Sequence, residues 1–168
     1  KNLDGTTDLA FTKFIFNATL EAIDDLGLGD EEAELATDMR KILAAFPDYP
    51  TAVGRFGEVY VSVGTEDPDH VIYNTPANLM PVFPGEDVDA LSASGKTLEI
   101  AKRSWLHHYN EGGNDLVFYY LVGARLGIID IEKFKRHVRY CMMPNQYANL
   151  RATLTGGRYV DTSGMDFM

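Results

Sequence analysis

Between residues 51 and 86 the chain carries Gly54, Gly57, Gly64, Pro68, Pro76, Pro81 and Pro84. Proline removes a backbone donor and glycine costs about 1 kcal/mol in a helix interior, so no long helix crosses this stretch. It is also too apolar to be a disordered linker, with Phe56, Val59, Tyr60, Val61, Leu79, Met80, Val82 and Phe83 inside it. Within it, EVYVSV (58–63) has β-branched residues at alternating positions, the pattern of a strand. A long irregular segment of this kind packs down onto a scaffold, and such loops carry sites.

The flanking sequence reads as helices. Over 6–27, Leu9, Phe11, Phe14, Ile15, Ala18, Ala22, Ile23 and Leu26 recur at helical spacing, with Thr6 or Thr7 as the expected cap and Asp8 in the first turn. Gly27 and Gly29 end that helix. Asp30 can cap a second helix over 31–46, striped by Leu35, Met39, Ile42, Leu43 and Phe46 and stopped by Pro47 and Pro50. The short turn between the two predicts antiparallel neighbours. From Ser94, a third helix places Leu98, Ile100, Ala101, Trp105 and Leu106 on or near one face. Asn114 or Asp115 then caps LVFYYLVGARLG, which is apolar nearly all round and so expected to be buried. Asp130 caps DIEKFKRHVRYCM, Pro144 closes it, and NQYANLRATL (145–154) reads as a weaker helix. The expectation is one all-α domain over 1–168, with a long structured loop or short β segment around 51–86.

Composition excludes several classes. A net charge of −10 repels phosphate backbones, so nucleic acid is not an expected partner. The single cysteine, Cys141, excludes an internal disulfide or a cysteine metal cluster, and it reads as buried. No apolar run approaches the roughly 20 residues of a membrane helix. There is no glycine-rich phosphate loop and no G-x-S-x-G, so no cofactor is expected.

Four groups of residues could carry chemistry. Glu58, among Phe56, Val59 and Tyr60, is either a partly desolvated carboxyl with the raised pKa a general acid needs, or the water-facing member of an alternating strand. Glu66, Asp67, Asp69 and His70 are either a cation loop or a solvated turn. They lack the glycine and terminal glutamate of an EF-hand, so no metal is expected. Adjacent His107 and His108 do not share a helix face. Trp105 and the tyrosines either stack on sugar faces or form core.

Read in order, GRFGEVYVSV, TEDPDH, NTPANLMPVFPGEDV, SGKTLEIAKRSW and EGGNDLVFYYLVGARLG resemble segments of glycoside hydrolase family 95, the inverting α-L-fucosidase group. The resemblance covers roughly residues 5–130. It implies part of an (α/α)6 toroid, with Glu58 at the position of the family's general acid. Val59 stands where the family has tryptophan, and His70 with VIYNTPAN replaces its histidine-rich run. That leaves His70, Asn74 and Asn78 as the residues to hydrogen-bond a sugar. Inversion needs a second carboxylate, with the pair roughly 6.5–9.5 Å apart. The resemblance places that base on segments outside this chain, so it implies a partial catalytic domain, inactive alone, partnered by the remainder of its own domain. It also implies a carbohydrate substrate and secretion or a periplasmic location. The alternative is a non-catalytic helical module that binds a carbohydrate or a protein.

Overall fold

The computed structural model describes residues 5–70, 75–108, 115–144, 150–154 and 158–159, with the backbone alone for 115–117 and from 137 onward. Five helices are present among these: α1 (Thr6–Asp25), α2 (Ala33–Ala44), α3 (Gly95–Leu106), α4 (Asp115–Arg125) and α5 (Ile131–Cys141). β1 (Thr51–Gly54) and β2 (Gly57–Tyr60) form an antiparallel hairpin, with Thr51 opposite Tyr60 and Gly54 opposite Gly57. β3 (Met142–Pro144), β4 (Leu150–Leu154) and β5 (Arg158–Tyr159) form a second antiparallel sheet in that order.

The all-α expectation is therefore wrong: the described chain is mixed α/β. The helix expected over 145–154 is a strand over 150–154, while 145–149 lie outside the described residues. The alternation of Leu150, Ala152 and Leu154 with Arg151 and Thr153 has the period of a strand, and pairing with β3 and β5 realises it. Nor do the helices bury their stripes against one another as a toroid requires. The core is Tyr60, Leu79, Val82, Val88, Ile100, Ala101, Trp105, Val122 and Leu126. Its centre is the irregular stretch, onto which α3 and α4 pack. On α1 only Leu9, Ala10 and Ile23 of the apolar residues are buried, while Phe11, Phe14, Ile15 and Leu26 are exposed. On α2 only Ala36 is buried, with Leu35 and Ile42 exposed.

The hairpin is too small to stand alone, since an isolated two-stranded ribbon is marginal in water. Among the described residues no third strand pairs with β2. Helix side chains take that place. The Arg103 Nη1 donates to the Glu58 carbonyl at 2.9 Å, and the Tyr60 N–H donates to the Ser104 Oγ at 2.8 Å. The Asn78 Nδ2 donates to the Tyr60 carbonyl at 3.1 Å. Thr6, expected only as a cap, is fully buried and donates its hydroxyl to the Val61 carbonyl at 2.6 Å, while its N–H reaches the Ser62 carbonyl. Gly5 is the N-cap instead. Tyr60 itself points into the core, edge-on to Tyr49, and burial pushes its phenol up to about 12. The Tyr49 hydroxyl donates to Asp87, which also pairs with Lys13 of α1.

α3 meets α4 through Trp105. Its indole stacks on Tyr119 and donates to the Tyr119 carbonyl at 2.6 Å. That approach requires Gly123, because a Cβ there would lie 2.6 Å from the indole ring. Gly123→Ala gains about 1 kcal/mol of helix propensity but forces this contact apart, and overpacking of this kind costs about 1–3 kcal/mol. A thermal melt followed by Trp105 fluorescence is expected to show a lower Tm; an unchanged or higher Tm contradicts the packing.

Candidate functional site

A cleft of about 500 Å3 opens beside the hairpin. Its walls are the 54–57 turn, the 68–70 segment and the C-terminal end of α3, and its floor includes Val59, Asn78 and Ser104. The turn is built by sequence. Arg55 and Phe56 link the paired Gly54 and Gly57, and Gly57 has φ +100°, a conformation that glycine adopts freely and other residues rarely. Gly54 admits the 68–70 segment, since a Cβ there would lie 2.6 Å from the Asp69 Oδ1. Both Asp69 oxygens accept from the Arg55 N–H at 3.0 Å. Across the mouth, the Phe56 ring lies parallel to the His107 imidazole, with centroids 3.8 Å apart, and the Arg55 guanidinium sits over the Phe56 ring. These contacts tie the turn to the end of α3.

Of the four residues expected to form a site, two line the cleft. Asn78 is 4% exposed, and among the described residues its Oδ1 has no hydrogen-bond partner, while its Nδ2 holds β2. His70 is on the rim, exposed, with its Nδ1 2.7 Å from the Asp67 Oδ2. Asn74 lies outside the described residues, as do Asn114 and the Val71–Tyr73 portion of the loop. The Cys141 side chain is likewise outside them.

Glu58 is not among the residues lining the cleft. Its carboxylate is 2.8 Å from the Lys96 Nζ and accepts from the Thr51 hydroxyl at 2.9 Å. The Lys96 hydrogen bond, and then that of Thr51, hold the carboxyl below its ordinary value, the direction opposite to a general acid's requirement. The acidic run has internal uses. Glu66 accepts from the Ser62 N–H, and Asp67 accepts from the Asp69 N–H and pairs with His70. The Asp69 N–H first, and His70 after it, keep the Asp67 carboxyl low. Among the described residues no three His, Cys, Asp or Glu side chains converge to hold a metal ion.

Ser104, Arg55 and the Phe56–His107 stack were not singled out from sequence. The pairing of Phe56 with His107 joins residues far apart in the chain, and no local pattern encodes it. Ser104 carries one usable signal: it is the hydroxyl among Ile100, Ala101 and Trp105 on the buried face of α3. A polar residue there needs partners, and it finds them in the Tyr60 N–H and the Ile100 carbonyl.

No protein-family model, curated protein or solved structure gives a match to this chain.

A carboxyl with a depressed pKa stabilises the fold at neutral pH and loses that contribution as pH falls through its folded value. In a pH titration by carboxyl NMR, Glu58 is expected to titrate below ordinary glutamate, and Lys96→Met to bring its midpoint back up. A wild-type midpoint above the ordinary value would return Glu58 to the role of an acid.

Proposed function

We propose that the chain is a binding module whose cleft takes a small hydroxylated ligand of the carbohydrate class. The observation that carries this reading is the Asn78 Oδ1: a buried acceptor without a partner among the described residues, on a residue that lines the cleft. Leaving such an acceptor unsatisfied costs about 1–3 kcal/mol, and a ligand hydroxyl or N–H recovers it. Asn78 is also fixed in orientation, because its other amide atom is committed to Tyr60. A ligand that reaches the Oδ1 meets an amide already held in place, which lowers the ordering cost of binding. The volume falls within the roughly 300–1,000 Å3 typical of small-ligand sites.

The hydrolase alternative rests on the five segments that resemble glycoside hydrolase family 95. It requires Glu58 protonated and facing the ligand. The ion pair with Lys96 and the position of Glu58 outside the cleft lining favour binding over catalysis.

The test is an amide NMR titration of the whole chain with a panel of neutral and acidic mono- and disaccharides. Saturable shifts are expected at Arg55–Gly57, Asn78 and Leu106–His108. If no member of the panel moves those amides at tens of millimolar, the reading fails.

A further inference from the structure

The cleft has a polarity along its depth that the reading above leaves unused. Asn78, a lining residue, carries a buried acceptor with no partner among the described residues, its Oδ1. The rim offers a cation, Arg55, and the imidazoles of His70 and His107. Among the described lining residues the one carboxylate is Asp69, and both of its oxygens are turned to the Arg55 N–H, while Asp67 stands behind the rim against His70. The contact of Asp69 with the Arg55 side chain is long, 3.8 Å, and runs through Nε, and that side chain remains 67% exposed. Phe56 stacks on His107 and carries the Arg55 guanidinium over its ring, so it positions the cation at the mouth.

The geometry points to a hydroxylated monocarboxylate as the ligand class, a uronic acid being the fitting example: a hydroxyl donates to Asn78 at the floor, and the carboxylate pairs with Arg55 at the rim. This inference rests on the binding reading and adds the charge of the ligand. Guanidinium suits the task because its planar fork meets a carboxylate through two parallel hydrogen bonds. The stack on Phe56 holds that fork at the mouth. Discrimination follows from the same chemistry. A neutral hexose keeps the floor contact and loses the rim contact, and hydrogen bonds to charged groups contribute about 1.5–3 kcal/mol, or roughly tenfold or more in affinity.

The probes are D-glucuronate and D-glucose, titrated into wild type and Arg55→Gln and followed by amide NMR. Arg55 is exposed and its side chain holds no core contact, so Arg55→Gln should fold, which its amide spectrum checks directly. Wild type is expected to bind glucuronate at least tenfold more tightly than glucose, and Arg55→Gln to erase that difference by weakening glucuronate. Equal affinity for the two sugars, or a preference that survives in Arg55→Gln, overturns the anionic assignment and leaves the binding reading standing. If neither sugar moves the cleft amides, the anionic assignment falls and the binding reading loses its simplest ligands with it.

Discussion

The outward-facing peptide groups of β2 have no neighbouring strand among the described residues, and the fold is arranged around satisfying them. An unpaired strand edge is a liability, both for the desolvation of its peptide groups and for its readiness to pair with other chains. Here the edge is closed by side chains instead of a strand. Arg103 and Ser104 of α3 and Asn78 of the 3-10 turn at Ala77–Leu79 each take one main-chain group of β2, and Thr6 of α1 takes the Val61 carbonyl just past its end. Three segments distant in sequence are thereby fixed in position against one short ribbon. The apolar core around Tyr60, Leu79 and Ile100 lies immediately behind these bonds, so hydrophobic burial and polar satisfaction act on the same contact.

The cleft is a by-product of that solution. A third strand would have covered the ground that Asn78 and Ser104 now occupy, and the cleft floor consists in part of these two residues. Asn78 spends one amide atom on the strand, and the other has no partner among the described residues. Ser104 is fully committed, accepting from Tyr60 and donating to Ile100. The floor is therefore rigid for structural reasons, which is the condition for a pre-organised site. The mouth is held by weaker and more exposed contacts, namely the stack of Phe56 on His107 and the carboxylate of Asp69 on the turn. Substitutions at the mouth are correspondingly better tools for function than substitutions at the floor.

Much of this architecture was legible in the sequence, and the failures have one physical origin. The periodicity of α3 located Ile100, Ala101 and Trp105 in the core, and Asp130 caps α5 through the Lys133 N–H as its position implied. The glycines and prolines of 51–86 marked the excursion, and the alternation of EVYVSV marked β2. Periodicity, however, states which residues share a face and not what covers that face. Thus the stripes of α1 and α2 were visible while their exposure was not, and a ring of helices was inferred where the helices pack instead on the irregular stretch. Glu58 shows the same limit at one residue. Its apolar neighbours implied desolvation, but Lys96 and Thr51, which set its charge, come from segments that no local pattern connects to it. Of the site, Asn78 and His70 were found through polar residue type in a packed loop. Arg55 was not, and His107 was weighed only beside His108, because the Phe56 ring that joins Arg55 to His107 reaches α3 only once the hairpin folds against it.

The most direct measurement of the central claim is native-state hydrogen exchange at the Tyr60 amide. This N–H points away from β1, on the side where an edge strand would face water. If Ser104 holds it, Tyr60 exchanges slowly, with protection comparable to that of Val61, whose N–H donates to the Pro50 carbonyl on the opposite side. Exchange at the rate of an open edge amide, with Val61 still protected, would contradict the account: the hairpin would then be an ordinary ribbon with a free edge, and neither the closure by helix side chains nor the rigid floor of the cleft would stand.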